Sequence, residues 1–510
     1  MLLSVESRRV RCPSIVRAAR RPLAAVLLAL AFDCAPRAAS DGARTLQILA
    51  SEIPRQLDPY EDQRLTSVQI FANVYEPLVR VGSAAAPVPA LAESWHSPTS
   101  DETIFRLREG IRFHDGSPLD ARAVVESLER ARHSSHVSGH FADVADIRAL
   151  DARSLSLRTR APIAVLVFGL TGVFITHPSG AGLVGTGPYR VDSFVPGESV
   201  RLVRFRDYAG APPYLDEAIF RRYEGDEHAL RLLRERPRTL LAPVSAAVAA
   251  QATDPQVRAV ARPTRILHYL AFGLDSREAD AVRDVGVRRA IRLALDVPGL
   301  VRSASPAGGE PASQLVPPGT IGFDPSLRVP ARDVARARAL LTAAGHPKGL
   351  DLALDVRAKN ADLAQAVAGQ LAEAGIRVQV RVLPVEEFAR RIEGRSAFFL
   401  YNWIVGQESG SALRNFMHTR DPWRSLGLQN RTGYTNVEVD FLLEQSGGPL
   451  SPAERVTLQQ RAMAVLMKDL PWIPLLIPNE RVLQPVDLEI PTRIDEMLIL
   501  ADVRPVPPRT

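Results

Sequence analysis

At 510 residues the chain is too long for one ordinary hydrophobic core, which predicts two or three domains. Its formal charge of +6 is concentrated in residues 1–40, where seven arginines oppose two acids, so residues 41–510 carry only +1. A body that close to neutral has no general electrostatic footprint for DNA or RNA. Both cysteines, Cys12 and Cys34, fall in the same leader, so the rest has no disulfide, thiol nucleophile or cysteine metal site.

In chain order, the arginine-rich residues 8–21 precede the apolar run "PLAAVLLALAF" and the small residues "RAAS". That order predicts a secretory signal over residues 1–40, cut after Ser40, and a soluble mature protein. Arg8-Arg9 and Arg20-Arg21 leave a twin-arginine export route open. Cys34 is an alternative lipid-anchored first residue, although Asp33 beside it departs from the usual pattern.

Further on, "HSSHVSGH" holds His133, His136 and His140. On a helix they would share a face and could hold a metal, but the serines and Gly139 favour a loop, and no metal is assigned. The apolar stretch "APIAVLVFGLTGVFI" is broken by Pro162 and two glycines, which predicts buried strands or a short helix instead of a membrane span. "LVGTGPYRV", residues 183–191, has the glycines of a phosphate loop, but Pro188 removes an N–H and strands follow where a helix is needed.

The second half of the chain is more regular. "VRRAIRLALDVPGLV" places Val287, Ala290, Ile291, Ala294 and Leu295 on one helical face. "DVARARALLTAAGHP" predicts a helix stopped by Gly345 and Pro347. "GLDLALDV" alternates as a strand, "NADLAQAVAGQLAEAG" reads as a helix closed by Gly375, and "IRVQVRV" alternates again. A strand–helix–strand unit of this length implies a parallel pair with a right-handed crossover. Trp403 ends the apolar strand "AFFLYNW" and precedes a glycine-rich turn, where an aromatic can floor a ligand pocket or simply complete the core. Ser451, Pro452 and Glu454 open a helix with a capping box. The fold class is α/β. No Gly-x-Ser-x-Gly elbow, His-Glu-x-x-His or Walker loop occurs, so no catalytic residue and no cofactor is assigned, and the chain is not expected to be an enzyme.

The segment from Tyr75 to Arg132 carries "YEPL", "PALAESW" and "FRLREGIRFHDGSP", followed by a helix. With "GTGPYRVDSF", "LLTAAGHPKG", "QLAEAGIRV" and "GYTNVEVDFLLEQ", it resembles the extracellular solute-binding proteins of family 5, the peptide/nickel/opine type, over nearly the whole mature chain. The resemblance implies a type II periplasmic-binding-protein fold. Lobe I would span 41–265 plus 482–510 with a subdomain at about 79–183, and lobe II would span 266–481. It implies a periplasmic, monomeric receptor that delivers a small peptide or peptide-like solute to ABC permease subunits. A non-peptide ligand (an opine, metal chelate or sugar derivative) is the alternative. A secreted hydrolase would need a nucleophile–base pair, which is not found.

The resemblance also implies roles for single residues. His114 is a satisfied turn histidine, Asp115-Gly116 a turn, and Gly185–Tyr189 a return into the first lobe with glycines in tight turns. Peptide-binding relatives carry an Asp three residues after the tryptophan matching Trp403, where it accepts the peptide ammonium. Here that position is Gly406, and Glu408 is offset by two. "HVSGHF" resembles a pocket-lining segment, which places His140 and Phe141 at the cleft. The expected ligand-binding set is therefore Trp403, Gly406, Glu408, His140, Phe141 and Glu61. Without the Asp, the ligand is expected to lack a free ammonium group at that point.

Overall fold

The computed structural model describes residues 44–507 except 83–86, 142, 161–165, 181, 237, 407, 425, 449, 492 and 494–496. The expected signal peptide, the arginine pairs and Cys34 lie outside the described residues.

Twelve strands form the main sheet. They are β1 (Thr45–Ala50), β2 (Tyr189–Val195), β3 (Ser199–Arg204), β4 (Glu217–Arg222), β5 (Thr239–Leu241), β6 (Val257–Pro263), β7 (Ile266–Phe272), β8 (Gly309–Pro311), β9 (Leu350–Arg357), β10 (Ile376–Leu383), β11 (Phe398–Ile404) and β12 (Trp472–Pro485). Their order is β2-β3-β4-β1-β5-β12-β7-β11-β9-β10, with β6 and β8 also paired to β12. β12 is the strand on which the topology turns. Its first half pairs antiparallel with β7, from Ala271 opposite Trp472 to His268 opposite Leu476. Its second half pairs with β6, from Pro263 opposite Asn479 to Val257 opposite Pro485.

The apolar cores divide at the same place. One core is built from residues between Leu267 and Ile477, and another joins Leu46–Phe220 to Val482–Val503. The chain passes between them at Thr264–Arg265 and along β12. Those crossings are pinned by Arg262 Nε donating to Glu480 (2.6 Å) and Thr264 Oγ1 donating to the Pro478 carbonyl (2.7 Å). A separate core, within residues 60–175, lies between α1 (Ala121–Arg132) and a four-stranded antiparallel sheet that contains Glu102–Leu107 and Ser154–Thr159. Arg130 of α1 ties this subdomain to the chain on either side of it. It reaches Asp58 (2.8 Å) and Thr176 (2.7 Å), and its guanidinium lies 4.2 Å from the Tyr60 ring centroid.

The predicted strand–helix–strand unit is present. β9 and β10 pair in parallel from Leu350–Ile376 to Arg357–Leu383, joined by α2 (Ala361–Ala372), whose Leu363, Ala364, Val367 and Leu371 are buried. Helix Val334–Ala343 ends before Gly345, which has φ +87° and so takes the left-handed conformation a glycine adopts without strain. Helix Val285–Ala294 buries Val287, Ala290, Ile291 and Ala294, with Leu295 buried just past its end. After Trp403 come α3 (Ser409–Phe416), α4 (Val437–Ser446) and α5 (Pro452–Asp469), the last with its Ser451–Glu454 capping box formed. The broken apolar stretch becomes one helical turn, Leu166–Gly169, a 3₁₀ turn and the short strand Phe174–Ile175, with residues 161–165 outside the described residues. No described helix is long and apolar enough to cross a membrane.

Gly185 and Gly187 depart from the tight-turn expectation. Neither has a positive φ; a Cβ on either would collide with the backbone carbonyl of Val74, and Gly187 N donates to that same carbonyl at 3.0 Å. These glycines let two backbones approach closely.

Candidate functional site

β9 and β11 run parallel, and β7 runs antiparallel to β11 from Ile266 opposite Ile404 to Phe272 opposite Phe398. The carboxyl ends of β9 and β11 therefore lie at one edge with the amino end of β7, beside the chain crossing at Thr264–Arg265. In open α/β sheets the carboxyl ends of strands are where ligands bind.

Trp403 sits at this edge and is 7% exposed. Its ring meets Phe416 (4.5 Å) and Trp472 (5.6 Å) edge-on, and Trp472 stacks on Tyr269 at 3.8 Å. The indole nitrogens of Trp403 and Trp472 are buried without a hydrogen-bond partner. Gly406 is exposed, and a Cβ built there meets no atom within 4 Å. The backbone around it is held by Arg265, a buried residue at the crossing. Arg265 Nε donates to the Val405 carbonyl (2.6 Å), and Nη2 donates to Thr320 Oγ1 (3.0 Å) and to the Gly406 carbonyl.

Glu408 takes a different part. It is 6% exposed and caps α3, accepting from Gly410 N (2.9 Å), Ser411 N (2.7 Å) and the Gln459 amide. A buried carboxylate needs donors, and the first N–H groups of a helix supply them. Both oxygens point into the helix end, so Glu408 does not stand in for the missing Asp at Gly406.

The other expected residues lie in or beside the subdomain. Phe141 is 3% exposed and belongs to the subdomain core, because its ring completes the packing under α1. His140, in the 3₁₀ turn Ser138–Phe141, is exposed at its edge and lies against Gly169 and Gly172, and the partial loss of solvent around its ring lowers its pKa. Glu61 is exposed and accepts from Ser135 Oγ (3.2 Å), which also lies 2.8 Å from His136 Nδ1. Among the described residues, no hydrogen bond, ion pair or ring contact joins this group to Trp403, Gly406 or Glu408. The helix α1 ends at Arg132, so the three histidines do not share a helical face, and no described group of three or more His, Cys, Asp or Glu is arranged to hold a metal ion. His114 is a satisfied turn residue. Its N donates to the Gly185 carbonyl (2.9 Å), its Nε2 lies 3.0 Å from the Gly187 carbonyl, and burial lowers its pKa to about 4.

Other residues at the sheet edge were not singled out in the sequence. His268 stands opposite Asn402, and Arg357 Nη2 donates to Asn402 Oδ1 at 3.3 Å. Burial and then the charge of Lys359 lower the His268 pKa to about 4. The available signal was a histidine inside the apolar strand "ILHYLAF".

Residues 86–422 match the family model described as bacterial extracellular solute-binding proteins, family 5. The chain is 26% identical over 450 residues to the glutathione-binding protein GsiB of Shigella dysenteriae serotype 1, covering 82% of this chain and 86% of that one. Its fold is similar to that of the ABC transporter substrate-binding protein CtaP of Listeria monocytogenes, with TM-score 0.79, 19% identity, and 91% and 99% of the two chains covered. It is also similar to a nickel ABC transporter structure from Bacillus halodurans, with TM-score 0.78, 24% identity, and coverage of 90% and 99%.

Proposed function

This chain belongs to the bacterial extracellular solute-binding proteins of family 5, and from that premise we propose that it is the periplasmic receptor of an ABC importer. It captures a small peptide-like solute between two lobes and delivers it to the permease subunits. The observation that carries this reading is β12, one strand shared by two apolar cores, with the Trp403–Gly406 edge beside the crossing. Lobe I is assigned to 41–265 plus 482–510, with its subdomain at about 79–183, and lobe II to 266–481. Residues 1–40 are the export signal. The protein acts as a monomer and binds without catalysing a reaction. GsiB relatives are glutathione-binding proteins, which supports a peptide-like solute.

At the site, Trp403 contributes apolar and stacking contact, and Gly406 leaves an opening where peptide-binding relatives hold a carboxylate. Exposed His140 faces the ligand from the subdomain and exposed Glu61 from the segment beside it, with Phe141 anchoring the turn of His140. An ammonium group buried beside Gly406 would be unpaired, which is strongly unfavourable. The ligand therefore lacks a free ammonium there. The test is calorimetry with free and N-acetylated versions of the same short peptides. Binding indifferent to acetylation and weakened by Trp403→Ala is expected. Tight binding of free peptides only, lost on acetylation, would overturn the assignment.

A further inference from the structure

Taking the receptor reading above as its basis, we infer that Arg265 is a positioning residue that sets selectivity at Gly406. It claims the carbonyls of Val405 and Gly406 and turns them inward, so the solute presents no ammonium or guanidinium group at that point.

Arg265 immediately precedes β7, at the crossing between the two cores, and is 5% exposed. Val405 N donates to its carbonyl (3.0 Å), so the two backbones are already joined there. The side chain then reaches past that pair. Nε donates to the Val405 carbonyl (2.6 Å), and Nη2 donates to the Gly406 carbonyl and to Thr320 Oγ1 (3.0 Å). Thr320 is itself buried. On the other side, Ile321 forms a parallel bridge with Glu408, and its carbonyl accepts from Ser409 N (3.0 Å). Val405 and Gly406 are thus held from the crossing, and Glu408 and Ser409 from the segment beside Thr320. A planar guanidinium donates in several fixed directions at once, which is what bracing two carbonyls and a hydroxyl requires.

A cation that leaves water for this edge needs acceptors. Gly406 has no side chain to offer, and its own carbonyl and that of Val405 are directed at a buried guanidinium. Glu408 gives its carboxylate to Gly410 N, Ser411 N and the Gln459 amide. The indole N–H of Trp403 is a donor and cannot accept. An entering ammonium group therefore meets committed acceptors and a fixed positive charge, and like charges repel more strongly where water is displaced. An uncharged group incurs neither penalty. Selectivity of this kind comes from disfavouring the wrong solute by leaving its charge unpaired.

The experiment is calorimetry on the whole protein with di- and tripeptides, each free and N-acetylated, comparing the parent with Arg265→Met, Arg265→Lys and Thr320→Val. Methionine keeps the length of the side chain and removes every donor, which leaves two carbonyls that an ammonium group can satisfy. In Arg265→Met the free form is expected to gain about tenfold over the acetylated form relative to the parent, the size of one hydrogen bond to a charged group. Arg265→Lys keeps the cation and is expected to keep the parent's ratio. Thr320→Val removes one anchor of the guanidinium and is expected to move the ratio the same way by less, which keeps the test decisive where Arg265→Met does not fold. A ratio unchanged in the folded variants overturns the inference. So does weakening of both forms alike, which is what a merely structural role would give. Failure of the receptor reading looks different: neither form of any peptide binds the parent. Hydrogen exchange of the ligand-free protein then decides the positioning role. Faster exchange at the Val405 and Ser409 amides in Thr320→Val and Arg265→Met supports it, and exchange equal to the parent's overturns it.

Discussion

His114 shows how one residue ties two distant segments together. Its ring lies 4.9 Å from Phe205 edge-on and meets the Gly187 carbonyl, so it is held neutral by burial, with a pKa of about 4 against an ordinary 6.5. The folded state thus resists a proton that the unfolded chain accepts. Stability is complete above pH 6.5 and is lost as pH falls from there toward 4, by at most about 3 kcal/mol, less for the group's partial exposure. His268 adds to the same slope, since its pKa is also lowered to about 4. His114→Gln keeps a donor for the carbonyl, so its denaturation midpoint is expected to fall less between pH 6.5 and 4.5 than that of the parent. An unchanged slope would show that other groups govern acid sensitivity. Gly187 is a glycine for a separate reason, the backbone of Asn73 and Val74 passing against it. Gly187→Ala forces backbone apart at Val74 and is expected to cost about 1–3 kcal/mol in chemical denaturation.

At the scale of elements, helix starts differ in what their caps also support. Ser451 at α5 is exposed, and Ser451→Ala is expected to cost about 1 kcal/mol without touching ligand affinity. Glu408 at α3 is buried and also receives the Gln459 amide, while its neighbours Val405 and Gly406 hold Arg265. Glu408→Ala is expected to cost about 2 kcal/mol in unfolding of the ligand-free protein, because it strips a buried helix end of its acceptor. A ligand-free melting curve equal to the parent's would refute the capping role. This element was partly legible. "ESGS" contains cap-forming residues, but whether Glu408 faces the helix or the cleft depends on the direction in which the chain leaves β11.

For the whole molecule, the crossings at Thr264–Arg265 and along β12 are where bending between the two cores would concentrate. Ligand that binds only a closed form is expected to stabilise the fold by about 2.7 kcal/mol at a hundredfold excess over Kd. Solution scattering is expected to show a smaller radius of gyration with ligand. A bound protein no more compact than the free one would remove closure from the account.

What the sequence by itself determined is what neighbouring residues settle among themselves. The alternation of β9 and β10, the helical stripe of α2, the glycine stop at Gly345 and the Ser451–Glu454 cap follow from side-chain periodicity and backbone hydrogen bonds over a few residues. The family landmarks were legible for the same reason, since they are contiguous. Only the tertiary structure decided the rest. Gly185 and Gly187 are small because Val74 passes against them, Phe141 is core because α1 packs over it, and the edge at Trp403 is assembled by register. His268 meets Asn402, and Asn402 meets Arg357, across strands that no local pattern pairs. Contacts of that kind depend on which strands become neighbours, and that is settled by the burial of whole faces at once.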